Sequence, residues 1–247
     1  DPAWNVYATA CTMGVNQVEQ PGTAARVAKF KPTNIAELCA FVAAIRPGFK
    51  SMYKKFEARE PFSYGIPSFD NLIQTKWMPN SYVLYQEHIM RSLNYAGFPM
   101  SECYAAIKNI SKKRVEKVLK LKAEFIEGFI QVLKENEHLS YADAASAAEV
   151  VWQIVEDNSN YSFNASHAYC VALDSLFCAW LKAHYPVQFY GVYIRLMTES
   201  GKKEKVQAAQ TEAESYYRVK FPPFRFGQDN SIIAIDAENN SIYKSLA

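Results

Sequence analysis

Residues 161–186 read "YSFNASHAYCVALDSLFCAWLKAHYP" and predict an apolar helix. The helix should run from about Ser166 to His184, because a proline two residues later cannot continue it. Three polar side chains, Asn164, Ser166 and His167, crowd its start. Asn and Ser are favoured N-caps, and a histidine there can simply pack. Helix N–H groups beside a histidine can equally donate to a phosphate or a sugar. The residues alone leave both interpretations open.

Helical patterns extend on both sides of this stretch. Upstream, "NIAELCAFVAAIRPG", "SYVLYQEHIMRSLNYAG" and "PMSECYAAIKN" each predict a helix, and residues 111–136 predict a long amphipathic one because apolar residues recur every three or four positions. Ser140 with Asp143 is typical of a helix start that leads through Asp157. Residues 49–80 show no period and are predicted to be irregular.

The pattern changes only near the carboxyl end. Two more helices follow the 161–186 stretch, and after a proline pair at residues 222 and 223 the runs "FRFGQ", "SIIAID" and "SIYKSL" predict short strands. The sequence therefore predicts a mainly α fold. We expect a multi-helix domain over residues 1–220 and the start of a β-containing segment over 221–247, in a chain that resembles an excised piece of a longer protein.

Composition excludes several classes of protein. With 247 residues, 49% of them hydrophobic and 21% charged, the chain is expected to be globular. A net charge of +2 does not by itself indicate a nucleic-acid partner. Its five scattered cysteines lack CxxC spacing, so we expect free thiols, with Cys170 buried in the core. The absence of a signal-peptide pattern and of a long apolar run predicts a cytoplasmic protein without a membrane partner.

Catalytic motifs are missing from the sequence. The aspartates form no D-x-D pair that could hold two metal ions, and neither a phosphate-binding G-x-x-x-x-G-K-[ST] loop nor a G-x-S-x-G elbow is present. We therefore expect no catalytic residue and no metal ligand set within this chain.

A basic cluster occupies "IKNISKKRVEKVLKLK", residues 107–122. Its cations are Lys108, Lys112, Lys113, Arg114, Lys117, Lys120 and Lys122. A solvated helix face is the ordinary interpretation of such a run. However, cations at a helix start oppose the helix dipole, and positive charge beside free N–H groups forms an anion site. Arg46 in "IRPG" leaves the same choice between a surface residue and a phosphate ligand.

Several of these segments, taken in order, resemble a known family. "GVNQVEQPGTAARVAKFKPTNIAELCAFVAAIRPG", "LYQEHIMRSLNYAGF", "SKKR" and "YSFNASHAYCVALDSLFCAWLKAHYPVQF" are similar to the fingers region of the alpha subunit of bacterial DNA polymerase III, a family C replicative DNA polymerase. Order and spacing agree through residues 14–200. The divergence elsewhere is typical of a phage member or a remote bacterial one.

The resemblance implies a function for the fragment. It would bind an incoming deoxynucleoside triphosphate (dNTP) and template-primer DNA within a full-length DNA-directed DNA polymerase. The nucleotide-binding residues would be Lys108, Lys112, Asn164, Ser166, His167 and Arg46. The DNA-binding residues would be Lys113, Arg114 and Lys117.

The remaining parts of such an enzyme would lie outside the fragment. Mg²⁺ would be held by the palm, on the same chain or a split one, so the fragment alone should be inactive and bind no cofactor. Any contact with a sliding clamp would also involve other regions.

Departures from the family pattern keep a second hypothesis open. The family's paired arginines fall on Ile107 and Lys108, its glycine on Ser111, and the lysine of its FNKSH motif on Ala165. Lysine is also weaker than arginine at bidentate phosphate binding. The alternative is a divergent, non-catalytic helical module that binds DNA or protein and keeps the fingers fold.

The nucleotide hypothesis makes one structural demand. It requires Lys108, Lys112, Asn164 and His167 to converge on one cleft, at two helix starts near Ser111 and Ser166, because a triphosphate is best held by cations and oriented N–H donors together.

Overall fold

The structure, a computed structural model, describes residues 1–76, 78, 80–159, 163–223 and 229–245. Within them the chain forms twelve α-helices and one small antiparallel sheet, which confirms the predicted mainly α fold. The helices are α1 Ala3–Ala8, α2 Pro21–Phe30, α3 Ile35–Ala44, α4 Tyr53–Glu57, α5 Pro67–Ile73, α6 Gln86–Tyr95, α7 Met100–Ser111, α8 Val115–Asn136, α9 Tyr141–Ser159, α10 Ala165–His184, α11 Pro186–Glu199 and α12 Lys203–Tyr217, and a 3₁₀ turn covers Pro47–Phe49. The strands are β1 Ala234–Asp236 and β2 Ser241–Tyr243, with Ile235 opposite Ile242.

The chain divides into two compact units. The terminal unit comprises residues 1–34 and 171–247, and the middle unit comprises residues 35–170. The predicted family boundary near residue 221 stays a prediction, because compactness does not show where a family domain ends. Among the described residues, no helix has both the length and the apolar character that crossing a membrane requires.

The structure corrects one helix boundary in the basic cluster. The long helix was predicted to begin at Ser111, but α7 ends there and α8 begins at Val115. Lys113 adopts a left-handed conformation, with φ of 50°, and turns the chain between the two helices. Lys112 is therefore the C-cap of α7, where a cation favours the helix dipole instead of opposing it.

The segment 49–80 is more regular than its sequence indicates. It contains α4 and α5, and the buried Asp70 carboxylate organises the chain before α5. This carboxylate accepts hydrogen bonds from the hydroxyls of Ser63 and Ser81 and from the N–H of Tyr64 and Ile66. Burial alone would raise the pKa of Asp70, but these four donors hold it below its usual value.

The remaining sequence predictions have different outcomes, and two helices of the structure had not been predicted. The predicted helix after Ser140 is α9, and the Ser140 hydroxyl accepts the Asp143 N–H at 3.2 Å as a cap should. The helices α1 and α2 were not predicted. Two of the three predicted strands overlap β1 and β2, whereas the run "FRFGQ", residues 224–228, lies outside the described residues.

The core of the middle unit is built around aromatic rings of α5, α8 and α9. Phe69 lies edge-on to Phe129 at 5.3 Å between ring centroids, and Phe125 lies 5.3 Å from Trp152. All four side chains are buried. Their burial fixes the amphipathic face of α8 that the sequence predicts and leaves its basic residues outside.

A glycine allows α8 to approach the end of α6. A Cβ at Gly128 would lie 1.9 Å from the Ala96 carbonyl oxygen, which is far inside van der Waals contact. The close approach explains a glycine in the middle of a long helix, where it costs about 1 kcal/mol relative to alanine.

The terminal unit contains a buried ion pair. Lys182 on α10 is fully buried and forms a salt bridge with Glu212 on α12. Lys182 Nζ also donates to the Met13 carbonyl at 2.7 Å, and the Tyr190 hydroxyl donates to Glu212 at 2.7 Å. A buried charge is tolerated only when its partners are this complete, so the network fixes the loop at Met13 to both helices.

We predict that Gly128→Ala destabilises the protein by about 1–3 kcal/mol although alanine is the better helix former, because the methyl group must displace backbone. The measurement is the free energy of unfolding in urea. Gly22→Ala in α2 is the matched control, since a Cβ there meets nothing within 4 Å. We expect this control to leave stability unchanged or raise it by up to about 1 kcal/mol. A neutral Gly128→Ala variant would contradict the close contact.

Candidate functional site

The first turn of α10 is capped by Asn164. Its Oδ1 accepts the backbone N–H of His167 at 2.7 Å, so the predicted capping role of Asn164 is confirmed. Ser166 is the second residue of the helix and does not cap it. Its side chain is exposed, and its hydroxyl makes no hydrogen bond within the described part of the chain.

The start of α10 is attached to the start of α6. The N–H of Gln86 donates to the Phe163 carbonyl at 2.8 Å, and Tyr85 and Phe163 form an isolated parallel bridge. In addition, the N–H of Ala165 donates to Glu87 Oε2 at 2.8 Å. A carboxylate of the protein thus already satisfies the first free N–H of α10, where an anion is electrostatically favoured.

Phe163 joins two of the predicted nucleotide-binding residues. The Arg46 guanidinium carbon lies 4.1 Å from the centroid of the Phe163 ring, and the His167 ring meets the same ring edge-on at 4.8 Å. Arg46 is half-buried, and this burial lowers the pKa of its guanidinium. We call Arg46, Glu87, Phe163, Asn164 and His167 the α10 cluster.

The basic residues of α7 and α8 form a separate group. Lys108, Lys112, Lys113 and Lys117 are exposed, and no ion pair involves them among the residues that the structure describes. Arg114 Nη1 donates to Asn109 Oδ1 at 3.3 Å. We call Lys108, Lys112, Lys113, Arg114 and Lys117 the α7–α8 turn cluster.

Further along α8 the cations are neutralised. Lys120 pairs with Glu124 at 3.7 Å, and Lys122 pairs with Glu149 at 2.8 Å. Among the described residues, the turn therefore carries a group of lysines without an ion pair, as does the segment of Lys50, Lys54 and Lys55 around α4. A group of this kind can attract an anion.

The predicted convergence of the two clusters stays a prediction. In the described residues, no hydrogen bond, ion pair or ring contact joins Lys108 or Lys112 to Asn164 or His167. The hypothesis also expected two helix starts, but at Ser111 the chain has a helix end. Ile107, where the family has an arginine, is buried in the core of the middle unit, so Lys108 alone is exposed at that pair of positions.

Two further expectations have different outcomes. Cys170 was predicted to be buried, but it is exposed on the first turns of α10, whereas Cys11, Cys39 and Cys103 are buried. The five cysteines are free thiols. In the described part of the chain, no group of three or more His, Cys, Asp or Glu side chains is placed to hold a metal ion.

Sequence reasoning missed Phe163 and Glu87. Both lie inside quoted segments, "YSFNASHAYC" and "LYQEHIMRSLNYAGF", but an aromatic before an N-cap and an acid in a first turn have common local roles. Their importance comes from a pairing between segments almost eighty positions apart, which no local pattern reveals.

Comparisons with known proteins agree with the resemblance. A family model described as the bacterial DNA polymerase III alpha subunit finger domain matches residues 1–132. DNA polymerase III subunit alpha of Mycoplasma genitalium (strain G37) is 30% identical over 238 residues, which is 95% of this chain and 26% of that protein. The protein of the same name from Thermus aquaticus is 30% identical over 86% of this chain and 17% of its own length.

A third relative extends the comparison. DNA polymerase III subunit alpha of Aquifex aeolicus is 29% identical over 76% of this chain and 16% of its own length. The chain thus spans about a quarter or less of these three relatives. The family model covers residues 1–132, which is more than half of this chain. The chain therefore belongs to the family of the bacterial DNA polymerase III alpha subunit finger domain.

Proposed function

We propose that this chain is the fingers region of a replicative DNA polymerase, and that it binds an incoming dNTP and template-primer DNA during DNA-directed DNA synthesis. The Mg²⁺-binding palm would lie outside this chain, on the same polypeptide or a split partner, in a cytoplasmic enzyme. The observation that carries the proposal is the α10 cluster, where a half-buried guanidinium and a capped helix start meet at one aromatic ring.

The α10 cluster suits the triphosphate for electrostatic reasons. Burial penalises the charge on Arg46, so an anion that approached it would recover more energy there than at an exposed arginine. His167 and the hydroxyl of Ser166 are both exposed on the first turn of α10 and can donate to phosphate or sugar oxygens.

The DNA would be held by part of the α7–α8 turn cluster. Its exposed cations can neutralise backbone phosphates without reading the base sequence, as template-directed synthesis on templates of any sequence requires. Lys113, Arg114 and Lys117 are the proposed DNA contacts, and Lys108 and Lys112 stay assigned to the nucleotide.

One observation favours the alternative of a non-catalytic DNA- or protein-binding module. Glu87 places a negative charge on the N–H of Ala165, where the family motif has a lysine. This carboxylate would repel a triphosphate and would have to be displaced or offset by cations. The two hypotheses differ in whether nucleotide binds the α10 cluster at all.

The first prediction from the proposed function concerns whether nucleotide binds the α10 cluster. We expect Arg46→Ala to weaken dNTP binding by about ten-fold or more, because a hydrogen bond between charged groups contributes about 1.5–3 kcal/mol. We expect Glu87→Gln to strengthen it, since the amide oxygen can still accept the Ala165 N–H while the repulsion disappears. The measurement is titration of the purified chain with a fluorescent dNTP.

Arg59→Ala is the matched control for that titration. Arg59 lies in the same unit, and its two terminal nitrogens already donate to the carboxylate of Glu37 at 2.7 and 2.9 Å. Its loss should leave dNTP affinity unchanged. Equal affinities in the wild type, Arg46→Ala and Glu87→Gln, or no binding in any of them, would favour the non-catalytic module.

The second prediction concerns DNA. Binding of primed DNA should be weak and salt-dependent, with a log–log slope of about −0.9 per neutralised phosphate. Lys113→Ala should reduce that slope by up to about one unit, whereas Lys120→Ala should not, because Lys120 is paired with Glu124. Fluorescence anisotropy across a salt series measures both. Unchanged slopes for the Lys112, Lys113 and Arg114 variants would place the DNA contacts elsewhere.

The third prediction concerns catalysis. The purified chain with Mg²⁺, dNTPs and a primed template should give no extension product, because the described residues contain no carboxylate set for the metal ions of nucleotidyl transfer. A gel-based primer-extension assay, with an active polymerase in the same buffer as control, tests this. Extension by the purified chain would show a metal site that the proposal does not contain.

A further inference from the structure

We propose that the exposed face of α7 binds single-stranded DNA and that Tyr104 stacks on an unpaired base. The inference rests on the proposed function, because it specifies which form of DNA the α7–α8 turn cluster meets and adds a side chain outside the predicted site. Tyr104 and Met100 belong to no site considered so far, and both are exposed, at 48% and 45% of their surfaces.

The geometry of α7 aligns these residues with the cations. Met100, Tyr104, Lys108 and Ser111 follow one another at steps of four, four and three, so they form one stripe on the helix surface. The stripe is about 16 Å long at 1.5 Å per residue. It leads to Lys112 and Lys113, so apolar surface and positive charge follow each other along one line.

The opposite face of α7 anchors the stripe. Cys103, Ala106, Ile107 and Ile110 are buried in the core of the middle unit. The exposed stripe is therefore presented by a helix that is fixed in rotation and cannot hide Tyr104 without unpacking its core face.

Lys108 holds the aromatic ring from one side. Its Nζ lies 4.5 Å from the centroid of the Tyr104 ring, which is a cation–π contact. The contact restricts the ring and adds positive charge beside it, and half of the residue surface remains accessible. A restrained aromatic ring next to cations without carboxylate partners is the combination that binds single strands, since phosphates meet the cations while bases stack on the ring.

The exposed aromatic ring argues against duplex DNA as the occupant. In a duplex the faces of the bases are stacked on one another and unavailable to Tyr104, whereas an unpaired base offers its face.

The test compares oligonucleotides and variants with the full 247-residue chain. The probes are a labelled thymidine 12-mer and an abasic 12-mer, which carry the same phosphates but differ in bases. The wild type should bind the thymidine strand more tightly, and Tyr104→Ala should lower that affinity by about five-fold or more while leaving the salt slope unchanged. Tyr104→Phe should retain the affinity, because phenylalanine keeps the ring.

Tyr141→Ala is the matched control, because Tyr141 on α9 is 67% exposed and lies outside the stripe. It should not change binding. Circular dichroism of each variant confirms that the helices are intact.

Four outcomes would overturn the inference, and they are distinguishable. Equal affinities for the two oligonucleotides, or an unaffected Tyr104→Ala variant while Lys113→Ala still reduces the salt slope, would leave the proposed DNA binding in place and remove the stacking role. No binding of either single strand or of primed DNA would remove both. Loss of self-association in Tyr104→Ala, without any DNA binding, would identify the stripe as a protein interface.

Discussion

The pairing of residues 163–165 with residues 85–87 is the constraint on which the candidate site depends. Two backbone N–H groups at helix starts, those of Gln86 and Ala165, find their acceptors across this pairing instead of in water. The pairing fixes Phe163, and Phe163 in turn carries Arg46 on its face and His167 at its edge. Arg46 and His167 are more than a hundred positions apart in the sequence, and Phe163 contacts both of them.

Glu87 already occupies the amino-terminal end of α10, where an anion is electrostatically favoured. The positive end of α10 favours negative charge, and in this structure the carboxylate supplies it at 2.8 Å. A triphosphate would need to offer more than Glu87 does, through contacts with Arg46 and the donors of the first turn. If the α10 cluster binds the proposed triphosphate, this competition with Glu87 would disfavour single weak anions and favour a ligand with several charges.

Sequence patterns predicted the helices well but misplaced the feature that sets the electrostatics. The apolar period of α8 and the cap at Asn164 are local signals, and both have the expected structure. The start of α8 depends on Lys113 in a left-handed conformation, which a lysine adopts rarely and which no pattern indicates. Likewise α5 depends on the hydrogen bonds of Asp70, and the role of Glu87 depends on a distant pairing. Local chemistry is readable from sequence, whereas partners distant in sequence are not.

Some cations of the chain are neutralised within it, whereas others have no ion pair among the described residues. Lys182 is buried against Glu212, Arg59 is bridged to Glu37, and Lys120 and Lys122 are paired along α8. A net charge of +2 therefore conceals two populations. In the first, each cation has a carboxylate and contributes to folding or to surface order. In the second, no carboxylate of the described residues pairs with the cations. This population includes Lys50, Lys54 and Lys55 as well as the lysines at the turn between α7 and α8. Unpaired surface charge contributes little to folding stability, so the nucleic acid proposed above would be the partner that carries the opposite charge at the turn.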